Sequence, residues 1–219
     1  MNGLTVLLAA GLLLGAGERA WAQPLHPPGP VAAADVSGLF GYLGSKKPLD
    51  RYDDWDHSIV GGGTFGWYWT DNLKTEVEAG ASARSEKHAY FSETVGTRYI
   101  NKESTFHFST RRLAVGQQYQ FFRNAIFHPY VGGGLELTWE TTEREDSPEA
   151  IYQPGIRDVQ PGNPAVVHPD RTDLVARGYA ASGFKAYMSP RAFFRTDLKF
   201  AIRSGVEEVL LRFGFGVDF

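Results

Sequence analysis

The sequence has no cysteine. Disulfides, thiol nucleophiles and Cys-ligated metals are therefore excluded. It also has no large excess of charge: 22 Lys and Arg stand against 25 Asp and Glu, a formal net charge of −3, with a pI near 6.1. Nothing in that balance suits nucleic acid. There is no phosphate loop, no nucleotide fingerprint and no catalytic triad, and His26, His88, His128 and His168 lack ligand spacing. A helix that crosses a bilayer needs roughly 20 apolar residues, and the apolar run from Leu4 to Ala16 is too short for one. The mean hydropathy of −0.28 reads as soluble. That average misleads when apolar residues alternate along strands, because each strand then scores near neutral.

What is present points to β-structure. The 219 residues include 25 glycines and 14% aromatics, enough for one domain with a full core or one closed barrel. The run Leu4 to Ala16 followed by Ala20-Trp21-Ala22 before Gln23 has the form of a signal peptide over residues 1–22. Its first residues carry only the terminal amine as positive charge. Residues 23–33, beginning Q-P-L-H-P-P-G-P-V, predict an extended, Pro-rich linker. Residues 34–219 then form the folded domain.

In that domain the hydrophobic period is two. About eight strands are expected, near 36–43, 59–69, 73–82, 111–121, 128–140, 174–188, 194–203 and 209–219. The third is the sharpest: Leu73, Thr75, Val77, Ala79 and Ala81 alternate with Lys74, Glu76, Glu78 and Ser82. Short turns follow the second, fourth, sixth and seventh strands. Long polar loops are expected at 45–57, 84–105 and 142–173, the last Pro-rich and mobile. An antiparallel up-and-down barrel with long loops at one rim produces this pattern.

Alternation alone does not say which face points inward. A soluble barrel buries its apolar face; a membrane barrel turns that face to lipid. The polar face here is charged or glycine, which suits a narrow interior. Aromatics also gather near strand ends, as interfacial girdles do: Trp67, Trp69, Phe121, Phe194 and Phe219 at one rim, Tyr42 and Trp139 at the other. The membrane reading follows. It places Lys74, Glu76, Glu78, Arg112, Glu136, Glu140, Arg177, Lys185, Arg195, Asp197, Lys199, Arg203, Glu208, Arg212 and Asp218 in the lumen. Their near balance predicts a salt-bridged, plugged core rather than an open pore.

The signal peptide, the hairpin G-W-Y-W-T-D-N-L-K-T-E-V-E, the strand F-H-P-Y-V-G-G-G-L-E-L and the terminal F-G-F-G-V-D-F together resemble the OmpA/OmpX-like superfamily of small bacterial outer-membrane β-barrels. The resemblance spans the mature chain. It implies an outer-membrane location, extracellular loops, periplasmic termini, and contact with outer-membrane lipid and lipopolysaccharide. It also implies that Leu211, Phe213, Phe215, Val217 and Phe219 form the signal read by the barrel-assembly machinery. No peptidoglycan-binding domain follows the barrel, so anchoring of that kind is not implied. No cofactor or nucleic-acid partner is expected, and the protein is read as monomeric.

One pattern is enzyme-like. His107 and Ser109 share a strand face, where an imidazole can activate a hydroxyl, and outer-membrane lipid A deacylases carry a similar H-x-S. Here Thr110 replaces the usual Asn, and Tyr119 and Phe121 stand where an orienting carboxylate is sought. Asp50, Asp53, Asp54, Asp56 and His57 crowd the first loop, but their spacing matches no EF-hand, so a solvated acidic loop is expected rather than a metal site. The leading expectation is a non-enzymatic barrel, structural or interacting through its loops. The alternatives are a lipid A-modifying hydrolase and an OmpW-like conduit for small solutes.

Overall fold

A computed structural model describes residues 33–49, 52–121, 126–156 and 159–219, without the side chains of residues 47–49 and 52–54. The expected signal peptide, nearly all of the linker, and the acidic side chains Asp50, Asp53 and Asp54 lie outside the described residues. The described chain is all-β, with no helix. Its strands are β1 (Ala34–Leu49), β2 (Tyr52–Tyr68), β3 (Leu73–Ser82), β4 (Ser85–Val95), β5 (Arg98–Gln120), β6 (Phe127–Asp146), β7 (Ala150–Tyr152), β8 (Gln160–Pro161), β9 (Val166–Val167), β10 (Arg171–Tyr187), β11 (Ala192–Ile202) and β12 (Val206–Asp218).

Eight of these close a cylinder in the order β1-β2-β3-β5-β6-β10-β11-β12, every pair antiparallel. β12 returns to β1 from Asp35↔Asp218 to Ser45↔Glu208, so the wall has no free edge there. Short turns hold one end. In the β2–β3 turn the Thr70 hydroxyl accepts the amides of Asn72 and Leu73, and in the β10–β11 turn Ser189 does the same for Arg191 and Ala192. Both ends of the barrel domain meet at this rim, where the Ala33 amide donates to the Phe219 carbonyl at 2.9 Å.

The direction of the faces settles the question left open by alternation. Phe40, Tyr42, Phe65, Leu113, Val115, Leu135, Leu211 and Phe215 are exposed on the outside, while Lys74, Glu76, Arg112, Glu136, Lys185 and Arg195 are buried inside. The soluble-barrel arrangement is thereby overturned. Inward glycines make this interior possible. A Cβ on Gly116 would lie 2.2 Å from the Tyr179 hydroxyl, and one on Gly216 would lie 2.3 Å from the Phe193 ring. Eight strands leave room only for side chains, so a bulky neighbour needs a missing one opposite.

The long-hairpin end corrects the expected loops. The segments 45–57 and 84–105 are mostly ladder: β1 and β2 pair from Ser45↔Asp56 to Leu49↔Tyr52, and β4 and β5 from Ser85↔Phe108 to Val95↔Arg98. Gly96 closes the second hairpin at φ 65°, a left-handed conformation that glycine adopts without strain. The segment 142–173 is not a bare loop either. β7 pairs with β5, β8 with β7 and β9 with β6, extending the sheet past the cylinder.

Candidate functional site

The lumen is built in layers from alternate residues of the strands. At the short-turn end Asp35 is the hub. It accepts Lys74 Nζ at 2.8 Å, Tyr68 Oη at 2.8 Å and the Lys185 ammonium. Tyr187 donates to Asp218, which lies 3.5 Å from Lys185. One layer up, Arg195 grips both oxygens of Glu76, at 2.7 and 2.8 Å, while Lys74 reaches the same carboxylate at 2.7 Å. Such a bidentate pair fixes direction as well as charge. Arg195 Nε also donates to Tyr130 Oη at 2.7 Å, and Tyr130 donates to Asp197 at 2.8 Å.

Higher still, Arg212 bridges Asp197 at 2.7 Å and Glu78 at 2.6 Å, and Lys199 bridges Glu78 at 3.2 Å and Glu136 at 2.5 Å. Arg112 lies 3.2 Å from Glu208. Arg177 joins Glu208 at 3.4 Å, Glu207 at 2.8 Å and Glu140 at 2.5 Å, with Glu140 partly exposed at the rim. Leu43, Val60 and Leu210 form a small apolar cluster against the β1–β2–β12 wall. Among the described residues the cavities include ones of about 20 and about 10 Å³. Each has room for about one water molecule.

Isolated, these charges would be prohibitive to bury; each is tolerated because its counter-ion touches it. The lumen therefore contains every residue named for it in the sequence except Arg203. That residue lies in the turn after β11 ends at Ile202; its side chain is 59% exposed and pairs with Glu207 at 3.1 Å. Strict counting by two carried the inward face one residue past the end of the strand. Asp35, Tyr68, Tyr130 and Tyr187 were missed as network members. For Asp35 a signal was available: stepping back by two from Leu39 through Ser37 reaches it, and all three are buried.

The aromatics sit on the outer wall. Trp67, Trp69 and Phe219 are exposed toward the short-turn end, with Phe121 and Phe194 nearby. Tyr42 and Trp139 lie toward the other end, Tyr42 stacked on His57 at 5.3 Å. In β12, Leu211, Phe215 and Val217 face outward with the terminal Phe219, and Phe213 is half-buried against Phe40.

His107 and Ser109 lie on the same face of β5, past the apolar belt. No hydrogen bond joins them among the described residues. His107 Nδ1 instead faces Glu86 of β4 at 3.8 Å. A carboxylate near the imidazole thus comes from the neighbouring strand, where a search along β5 does not reach.

A second ionic hub stands beyond the cylinder. Asp146 of β6 accepts Lys102 and Ser104 at 2.7 Å, and Arg144 and His168 at 2.8 Å. Burial pushes its carboxyl up, but the hydrogen bonds from Lys102, His168, Ser104 and Arg144 outweigh that and hold it well below the usual carboxylate range.

No protein-family model matches the sequence, and no curated relative does. Solved structures do. The chain is similar to Neisserial surface protein A, at 12% identity and TM-score 0.54, over 86% of this chain and 98% of that one. The fold is that of a small outer-membrane β-barrel. Similarity of the same kind, at lower TM-scores, extends to two Pseudomonas aeruginosa proteins. The N-terminal barrel domain of OprF has 16% identity and TM-score 0.46, covering 86% of this chain and 98% of that one. OprG has 13% identity and TM-score 0.47, covering 86% of this chain and 97% of that one. At these identities the likeness concerns the fold, and the chemistry must come from this chain's own residues.

Proposed function

We propose that the protein is an integral outer-membrane barrel with a closed, charge-filled lumen, and that it acts non-enzymatically through the hairpins that project from one end. The observation that carries this reading is the continuous ion-pair network from Asp35 to Arg177, which fills the lumen with paired side chains. A solute path would have to break several buried pairs at once. The outward apolar belt faces lipid, and the termini lie at the periplasmic rim, so β4–β5 and the β7–β9 segment stand on the cell surface. Phe219 closes the outward face of β12 at the rim where the assembly machinery would read it.

Planar-bilayer recording of the folded protein tests the closed lumen. The expected result is no stable conductance; a large, steady single-channel current would overturn it. Membrane character is tested on a gel: the folded form should migrate differently before and after boiling. A chain that stays monomeric and folded in water without detergent would refute the whole reading.

A further inference from the structure

The hairpin ladder beyond the barrel has two faces of unlike chemistry. Residues of β5 from Arg111 to Tyr99 run twelve positions past the edge of the apolar belt, about 40 Å of strand. On the face continuous with the outer wall, β4 contributes Glu86, His88, Tyr90 and Ser92. Opposite them β5 contributes His107, Thr105, Glu103 and Asn101, with Tyr99 one step further on, opposite Thr94. β6 and β7 continue the same face with Glu143, Glu145 and Tyr152, the last opposite Tyr99.

Three tyrosines stand out here. Tyr90 is 78% exposed, Tyr99 50% and Tyr152 44%. A tyrosine gives a large, rigid contact area with a polar tip, and it is enriched where proteins meet partners. Tyr90 stands directly opposite Glu103 in the ladder.

Charge selects the occupant. The cations of these rows, Lys87, Arg98, Lys102 and Arg144, alternate onto the other face, where Lys102 and Arg144 serve Asp146. On the tyrosine face of β4–β7, Arg84 is paired with Glu143 at 2.6 Å, His88 lies between Glu86 at 3.1 Å and Glu103 at 2.9 Å, and Arg111 stands at the edge nearest the barrel. Beside the exposed rings Glu86, Glu103 and Glu145 still outnumber Arg111 and the His88 that Glu86 and Glu103 share, so the face stays acidic on balance. A phosphate-bearing lipid surface would be repelled. A guanidinium or ammonium would find both a ring face and a carboxylate within reach.

We infer that this face docks a Lys/Arg-rich segment of a partner protein, which lays its cations over Tyr90, Tyr99 and Tyr152 and against Glu86 and Glu103. The inference rests on the reading that this end is extracellular, so the two are tested separately. Because the chain lacks cysteine, Tyr90→Cys supplies a single thiol. Labelling of that thiol by a membrane-impermeant maleimide on intact cells is expected, and absence of labelling would overturn the surface placement.

Docking is measured on the full-length protein folded in zwitterionic micelles, using a fluorescent ten-residue peptide of alternating Arg and Thr. Saturable binding that weakens with salt is expected. Tyr90→Ser and Glu103→Gln should each weaken it by about two- to fivefold, while Glu93→Gln on the opposite face leaves it unchanged. All three sites are exposed or partly exposed, and each variant is checked for heat-modifiable migration. Absence of saturable binding, or equal loss in Glu93→Gln, would overturn the inference. So would binding of maltohexaose in place of the peptide, which would mark a neutral-glycan platform instead.

Discussion

Lys74 Nζ and Asp35 Oδ2 lie 2.8 Å apart at the base of the barrel, and neither side chain is exposed. Lys185 converges on the same carboxylate. Asp35→Asn would leave Lys185 with the Tyr68 hydroxyl and the more distant Asp218 carboxylate, and Lys74 with Glu76 as its one carboxylate. Removing one member of a buried pair costs about 3–5 kcal/mol. Urea unfolding of the protein in lipid vesicles should show a loss of that order. Arg203→Ala, which breaks an exposed pair, should change stability by no more than about 0.5 kcal/mol.

Inward and outward glycines should behave oppositely. A Cβ on Gly116 meets the Tyr179 hydroxyl and lies 2.4 Å from the Gly133 carbonyl, whereas one on Gly61 meets nothing within 4 Å. Gly116→Ala is expected to cost about 1–3 kcal/mol or more, because a ladder carbonyl cannot easily move. Gly61→Ala should be near neutral. The fraction of heat-modifiable protein after refolding reads the difference, and equal behaviour would mean the interior is looser than described.

Adjacent leucines offer a test of sidedness. Leu210 is 1% exposed, beside Leu43 and Val60, while Leu211 is 44% exposed on the outer wall. Leu210→Ala should cost about 2–5 kcal/mol from the cavity it leaves. Leu211→Arg should cost roughly 2–4 kcal/mol in a bilayer if it lies near the midplane. A neutral Leu211→Arg in lipid would show that this face does not meet the hydrocarbon.

The Asp146 hub has a defined pH window. Its folded pKa is depressed below the usual unfolded value of about 3.9, so its stabilisation is present above about pH 4 and is lost as pH falls through the folded pKa. The His168 amide, bonded to the Arg144 carbonyl at 2.9 Å, reports on the contact. After correction for intrinsic rates, its hydrogen exchange should stay protected from pH 7 to pH 4. In Asp146→Asn it should quicken already at pH 7. Unchanged exchange in that variant would mean β9 is held by backbone pairing alone.

The barrel itself was legible in the sequence. Leu73 to Ser82 alternates without a break because one side meets apolar surroundings and the other meets counter-charges, so every position is constrained. Beyond the cylinder both faces are wet. Ser85 to Val95 and Arg98 to Thr105 then lose the hydrophobic period, and a paired ladder reads as loop. The lumen was legible as a set of side chains but not as a set of partners. Nothing along the chain says that Arg195 grips Glu76 rather than Asp197 alone. Register, not composition, makes that choice. The period of two puts Tyr68 and Tyr130 on the polar face, but an amphipathic ring there gives no sign of which carboxylate its hydroxyl will meet.

The network has a consequence for how the protein comes into being. Lys185 meets Asp35 from 150 residues away, Lys199 meets Glu78 from 121 and Arg195 meets Glu76 from 119. Counter-ions that remote in the chain are brought together only when the wall is nearly whole. A partly built sheet would hold stranded ammonium and carboxylate groups that hydrocarbon does not accept. Entry into the membrane should therefore be close to all-or-none, with an abandoned intermediate turned back to water, where proteases can reach it.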